Sequence, residues 1–345
     1  MAEVNPKNVY ALVVGIETYQ LGADYDLDGP ARDGLRFIEW LRSHNVPADN
    51  IRFFVSPLAE NTEVVSQAAK HGVNAYPATR DAIDKHIRGK LLNLKVFGEV
   101  LYVFWGGHGI LTKTDRATRQ LLFADTTAAD KLNLNFESLQ QALATSAHGV
   151  GFEKQFFIVD ACANRYFQDL YEVIQAKAGE QQYSSTGEKA RAEQVVMFAC
   201  EAYDVARNVA GTGVFSSAVL AELKDRSLLP DMQLLMTRVR NRLLEQQMPE
   251  PYYLWVKVGN QETISDQREG LQGASASSKT ELTGMKHLKT KRLQHQLDRV
   301  REQHKAESEL LGETSGAIDA QREQTVERLE RKIAQLENEL KEVTR

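Results

Sequence analysis

Cysteine is scarce in this chain of 345 residues, which has only Cys162 and Cys200. Two thiols cannot build the disulfide framework of a small secreted scaffold, so a reducing, cytoplasmic interior is expected. Long apolar runs are also missing, and the opening stretch, MAEVNPKNVYALVVGIE, carries an acid early. A membrane span needs about 18 or more apolar residues, so neither a span nor a signal peptide is expected. There is no excess of basic residues: 42 Lys and Arg face 47 Asp and Glu, for a net charge of −5. Nothing in that balance points to nucleic acid. Neither G-x-G-x-x-G nor the G-K-[ST] of a phosphate loop occurs after the first apolar run, and there is no EF-hand loop. Asp115, Asp125 and Asp130 are scattered and read as loop acids, so no metal and no cofactor is expected.

What is present suffices for a core. Hydrophobic residues make up 42% and charged residues 26%, ordinary globular usage. The length allows two domains at roughly 100–200 residues each. Every aromatic residue lies at or before Trp255, and Ser265 to Lys279 (SDQREGLQGASASSK) is small, polar and aperiodic, as a linker is. The expected organisation is a main domain over 1–262, a linker over 263–280 and a helical module over 281–345. In the last of these Val326, Leu329, Ile333, Leu336, Leu340 and Val343 recur at steps of three and four, a seam of about two and a half heptads. The stretch before it, with Leu293, Leu297 and Val300 in phase, is less regular, and a break is expected at Gly312–Gly316. Two readings fit: a helical hairpin folded back on the main domain, or a coiled-coil module for self-association or for a regulatory partner.

The first 260 residues alternate strand and helix patterns. Val9–Ile16, Ile51–Val55, Val100–Trp105, Gln155–Val159, Gln194–Cys200 and Tyr252–Val258 read as strands. Pro30–His44, Thr79–Leu92 (with Thr79 as N-cap), Val214–Leu223 and Met232–Leu244 read as helices. Apolar runs that are continuous rather than alternating predict an α/β fold, with a mostly parallel sheet covered by helices on both faces. Ligands of such sheets sit beyond the carboxyl ends of the strands.

Two strand ends carry chemistry. Val100–Trp105 runs into Gly106-Gly107-His108-Gly109, and Gln155–Val159 runs into Asp160-Ala161-Cys162. A thiol beside an imidazole can lose its proton, and the thiolate is the nucleophile. Cys200 also ends a strand, but no histidine precedes that strand, so it reads as packing. His108 precedes Cys162 by about 50 residues, the spacing expected of caspases. On YALVVGIETY, GPARDGLRFIEWL, VLYVFWGGHGI, FFIVDACAN and FACEAYDVA followed by GVFSSAVLAEL, the chain from Val9 to Gly259 resembles the caspase-like cysteine peptidases. These include metacaspases, paracaspases and prokaryotic relatives with helical carboxyl-terminal extensions.

The resemblance implies a Cys/His dyad endopeptidase acting on protein or peptide substrates. Cys162 would attack the scissile carbonyl and His108 would protonate the leaving amine. The backbone N–H groups of Gly109 and Cys162 would hold the oxyanion. Animal caspases have Gln two places before the cysteine; Asp160 stands there instead, as in metacaspases and paracaspases, which cut after Arg or Lys. Asp33 falls at the family's second acidic position, and Asp204 at a third found in paracaspases. A family glutamate expected beyond Asp204 is replaced by Arg207 or Asn208. The polar stretch 163–193 corresponds to the segment between large and small portions, and Lys189 and Arg191 are its candidate processing sites. Family analogy extends to a prokaryotic defence or cell-death role. Two other readings remain: an inactive caspase-like adaptor working through its carboxyl-terminal helices, and a flavodoxin-like nucleotide binder.

Overall fold

The computed structural model describes residues 4–92, 97–111, 118–145, 151–161, 179–183, 192–200, 208–209, 211–246, 248, 250–256 and 263–265, together with scattered positions between 297 and 341. The chain divides into two units, Met1–Arg268 and Glu269–Arg345.

The first unit is built on eight strands. β1 (Val9–Ile16) pairs in parallel with β2 (Ile51–Ser56), and β2 with β3 (Ala75–Pro77). On its other side β1 pairs with β4 (Phe97–Gly107), followed outward by β8 (Gly151–Ala161) and β10 (Glu193–Phe198), all parallel. Two antiparallel strands, β13 (Tyr252–Val256) and β14 (Thr263–Ser265), complete that edge. The sheet order is therefore β14-β13-β10-β8-β4-β1-β2-β3. The strand order reverses between β1 and β4, which opens a crevice beyond their carboxyl ends. Thr263–Ser265, expected in the linker, belongs to this sheet because it pairs with Leu254–Val256.

Each central strand buries both faces, which is why its sequence is apolar throughout. On one face Val13, Tyr102, Phe104, Ile158 and Met197 pack against α1 (Pro30–Ser43), α5 (Val214–Leu223) and α6 (Met232–Glu245). On the other, Leu12, Val103, Trp105, Phe157 and Phe198 pack with α3 (Arg80–His86) and α4 (Phe136–Leu143). Each such aromatic or branched side chain contributes about 1.5–3 kcal/mol on burial. α2 (Glu63–Lys70) adds Val64 and Ala68 to the first face. Two polar tips on the first face are paired: Trp40 Nε1 donates to the Leu223 carbonyl at 2.8 Å, and Tyr102 Oη to that of Leu228 at 2.7 Å.

The helix expected over Thr79–Leu92 is α-helical only to His86 and continues as a π turn over Ile87–Leu91. The Thr79 side chain makes no capping bond; Asp125, from a distant loop, accepts from Arg80 N at 2.9 Å instead. A small four-stranded sheet, β5-β6-β7-β9, lies beyond β4: β5 (Gly109–Leu111), β6 (Arg119–Leu122), β7 (Asn133–Asn135) and β9 (Glu180–Gln181). A two-stranded ribbon, β11 (Asn208–Val209) and β12 (Thr212–Gly213), leads into α5.

In the second unit the described positions are helical. Arg301 Nη2 lies 2.7 Å from Glu337 Oε1, and His304 Nε2 lies 3.4 Å from Glu330 Oε1. Partner numbers fall as the first numbers rise, as in two helical stretches of opposite direction. No helix among the described residues is long and apolar enough to cross a membrane.

Candidate active site

The crevice is reached along β4. Its parallel ladder with β8 ends on Gly106↔Asp160 and Gly107↔Ala161. In the sequence His108 follows Gly107 directly and Cys162 follows Ala161 directly. Cys162 itself lies outside the described residues, as do Asp204, Lys189 and Arg191. Gly109 opens β5 immediately after the histidine.

His108 is buried and held at two points by the segment that follows β1. Its backbone N–H donates to Tyr19 Oη at 2.7 Å, and its Nε2 lies 2.8 Å from the Tyr25 carbonyl. The Tyr19 and imidazole ring centroids are 4.8 Å apart. A carbonyl oxygen can only accept, so the ring proton sits on Nε2. Burial holds the imidazole below its ordinary 6.5, against the opposing pull of the Tyr25 carbonyl and the Asp26 charge. The ring is therefore neutral at pH 7, with its lone pair on Nδ1. Gly107 makes this approach possible. Its φ is 155°, and a Cβ there would come within 2.7 Å of Tyr19 Oη.

Two of the three expected acids meet. Asp33, in the first turn of α1, accepts from Thr212 Oγ1 at 2.5 Å and from Gly213 N at 2.7 Å, and Arg36 Nη1 lies 3.2 Å away. Asp160 Oδ2 accepts from Ser216 N at 3.0 Å and Ser216 Oγ at 2.6 Å. Among the described residues no donor meets Asp160 Oδ1. A Cβ on Gly213 would run into Asp160 Oδ2 and come within 3.4 Å of Asp33 Oδ2, so this glycine is the thin wall between the two carboxylates.

Burial raises the pKa of both acids. Asp33 is pushed up to about 6, by desolvation first and by the Asp160 charge as well, against its bonds to Thr212 and Gly213. Because the folded value exceeds the ordinary 3.8, the native state holds the extra proton between these limits. Stability contributed by Asp33 is therefore greater on the acid side and falls as pH rises through that window. The difference corresponds to about 3 kcal/mol at most. Asp33→Asn should gain on the wild type by up to that amount between pH 4 and pH 7, as read from urea midpoints; a difference that stays constant with pH would contradict it.

Several residues at this edge were not singled out by their sequence pattern. Glu17, directly after β1, is fully buried and accepts four hydrogen bonds. Arg32 binds Asn61 Oδ1 at 2.6 Å, Asp28 Oδ1 at 2.5 Å and the Gly211 carbonyl at 2.7 Å, tying α1 to the ribbon before α5. Arg119 is buried over the Phe198 ring at 3.9 Å and donates to the Cys200 carbonyl at 2.8 Å. For Glu17 the one available signal was a charged residue directly after an apolar strand. Cys200 is buried, and its Sγ donates to the Ala161 carbonyl at 3.9 Å, in keeping with its expected packing role. Among the described residues no three His, Cys, Asp or Glu side chains group together to hold a metal.

Residues 8–257 match the family model of the caspase domain. The chain belongs to that family. It therefore carries a caspase-type cysteine peptidase domain, whose substrates are proteins. A search of the curated proteins returned no match. Among solved structures the chain is similar to protein GSU0716 from Geobacter sulfurreducens, at 13% identity over 72% of this chain and 93% of that one, with a TM-score of 0.46. It is also similar to caspase-1 from Spodoptera frugiperda, at 14% identity over 73% and 88% respectively, again with a TM-score of 0.46. His108, Cys162 and all three acids fall inside the matched caspase domain.

Proposed function

We propose that this caspase domain is an endopeptidase that cuts after arginine or lysine, with Cys162 as nucleophile and His108 as its acid–base partner. The observation that carries the proposal is the last pair of the β4–β8 ladder, Gly107↔Ala161; in the sequence His108 follows the first of these residues and Cys162 the second. The neutral His108 ring, with its proton on Nε2, has a lone pair on Nδ1 to take the thiol proton. The thiolate adds to the scissile carbonyl, and the N–H groups of Gly109 and Cys162 receive the oxyanion. Donors aimed at that developing charge contribute about 3 kcal/mol each. His108 then returns the proton to the departing amine, and water hydrolyses the thioester. The basic side chain of the substrate is received by Asp160 and Asp33, with Asp204 as a third acid. An arginine fork can take bonds from two carboxylate oxygens as close as these.

The test is labelling with a peptidyl halomethyl ketone ending in arginine, followed by peptide mass mapping. Stoichiometric alkylation of Cys162, with none by the matching aspartyl reagent, is the expected outcome. An unlabelled Cys162, or preference for the aspartyl reagent, would refute the proposal. The size of the labelled band also reports cutting at Lys189 or Arg191: a shortened labelled fragment means that the active form is processed there.

A further inference from the structure

Among the described residues no cation pairs with the Glu17 carboxylate, whose partners are all neutral donors. It follows β1 directly and is fully buried. Oε1 accepts from the backbone N–H groups of Gly29 at 3.0 Å and Ala31 at 3.1 Å. Oε2 accepts from Leu58 N and from Asn61 Nδ2, each at 2.9 Å. All four donors are neutral. Two of them open α1, whose N-cap residue, Gly29, has no side chain to do the capping. A negative charge at that end also complements the helix dipole.

What hangs from this carboxylate is the rest of the site. Residues 17–29 form a loop closed at its base, where Leu27 N donates to the Glu17 carbonyl at 2.8 Å and Gly29 N to its side chain. Both holding points of His108 lie on this loop: the Tyr19 hydroxyl and the Tyr25 carbonyl. On the other side, the α1 turn that Glu17 caps carries Asp33. A second chain of bonds runs from Glu17 through Asn61 to Arg32 and on to the Gly211 carbonyl, two residues before the glycine that separates Asp33 from Asp160. We infer that Glu17 is a positioning residue that sets the histidine and the specificity acids together, so that proton transfer and recognition of the basic side chain depend on one buried carboxylate. This deepens the peptidase reading and rests on it.

Glu17→Gln is the direct test. It keeps the shape but turns an NH2 group toward two of the four N–H donors. Activity is counted per active site, titrated with the arginyl ketone, and the tautomer of His108 is read from its ring nitrogen shifts by NMR. In the wild type the proton should sit on Nε2. In Glu17→Gln we expect a mixture of tautomers, a fall of about 100-fold in kcat per titrated site, the usual effect of about 1 Å of misplacement, and a raised KM for arginyl peptides. Fewer titratable sites with normal kcat per site would mean that Glu17 serves folding alone, and would overturn the inference; so would an unchanged His108 tautomer. Asn61→Ala, which removes one donor and leaves the carboxylate, should move the same readouts by a smaller factor if the Gln variant does not fold. Failure of the peptidase reading is distinguishable: the wild type would then hydrolyse no peptide, while the His108 tautomer would still respond to Glu17→Gln.

Discussion

Cys162→Ala should lose peptide hydrolysis by on the order of 10⁴-fold or more, the usual cost of removing a nucleophile that works as one unit with its base. The substitution deletes one sulfur, and the adjoining β8 ends in a fully paired ladder up to Ala161, so circular dichroism and melting should be those of the wild type. His108→Ala should be nearly as inactive, and the double variant no worse than either, because each group depends on the other. Hydrolysis of arginyl peptides by the Cys162→Ala protein at more than a thousandth of the wild-type rate would remove Cys162 from the mechanism.

The second large effect is expected at Asp160. Asn at this position is isosteric and can still accept from Ser216, which binds Oδ2 twice. What is lost is the charge, together with an Oδ1 that no described residue supplies with a donor. Leaving an arginine head buried without its partner costs a few kcal/mol, so kcat/KM for arginyl peptides should fall by about 100-fold or more, most of it in KM. Alkylation of Cys162 by iodoacetamide, which has no basic group to recognise, should be unaffected. Asp33→Asn should cost less, because both oxygens of Asp33 are already engaged by Thr212, Gly213 and Arg36. Equal losses on arginyl and uncharged peptides in Asp160→Asn would assign Asp160 to the fold rather than to specificity.

Much of the scaffold could be read in one dimension. Val9–Ile16 has the bounds expected of it, and so does Val214–Leu223. β4 and β8 run to 11 residues each, well past the expected Val100–Trp105 and Gln155–Val159 at both ends, whereas Ile51–Ser56 and Glu193–Phe198 lie close to the bounds expected of them. Short or antiparallel pieces were harder. Ala75–Pro77, the β5-β6-β7-β9 sheet and Thr263–Ser265 are two to four residues long, too short for any period to declare itself. Thr79 stands at the N-cap as expected, but its side chain makes no capping bond, and Asp125, 45 residues beyond Arg80, accepts from Arg80 N instead. Local preference loses wherever a distant carboxylate arrives with better geometry.

At the site the division has the same cause. Residue types and strand ends, with the spacing between them, were enough to nominate His108 and Cys162, because an apolar run that stops at a polar residue marks the rim of a parallel sheet; Asp160 and Asp33 were nominated only through the resemblance to metacaspases and paracaspases, and Asp33 stands in a helix rather than at a strand end. The proton on Nε2, the wall that Gly213 makes between two acids, and the four bonds that converge on Glu17 came only with the folded chain. Each of them joins groups distant in sequence: Asp33 to Gly213 across 180 residues, His108 to Tyr25 across 83, and Glu17 to Asn61 across 44. Periodicity and local propensity describe neighbours along the chain, whereas pKa, tautomer and hydrogen-bond satisfaction are set by neighbours in space. Sequence by itself therefore determined the caspase-like α/β scaffold and pointed to the sheet edge at which its chemistry is expected. Tertiary structure decided how that chemistry is aimed, since only closure of the β1–β4 crevice brings these donors and acceptors within reach of one another.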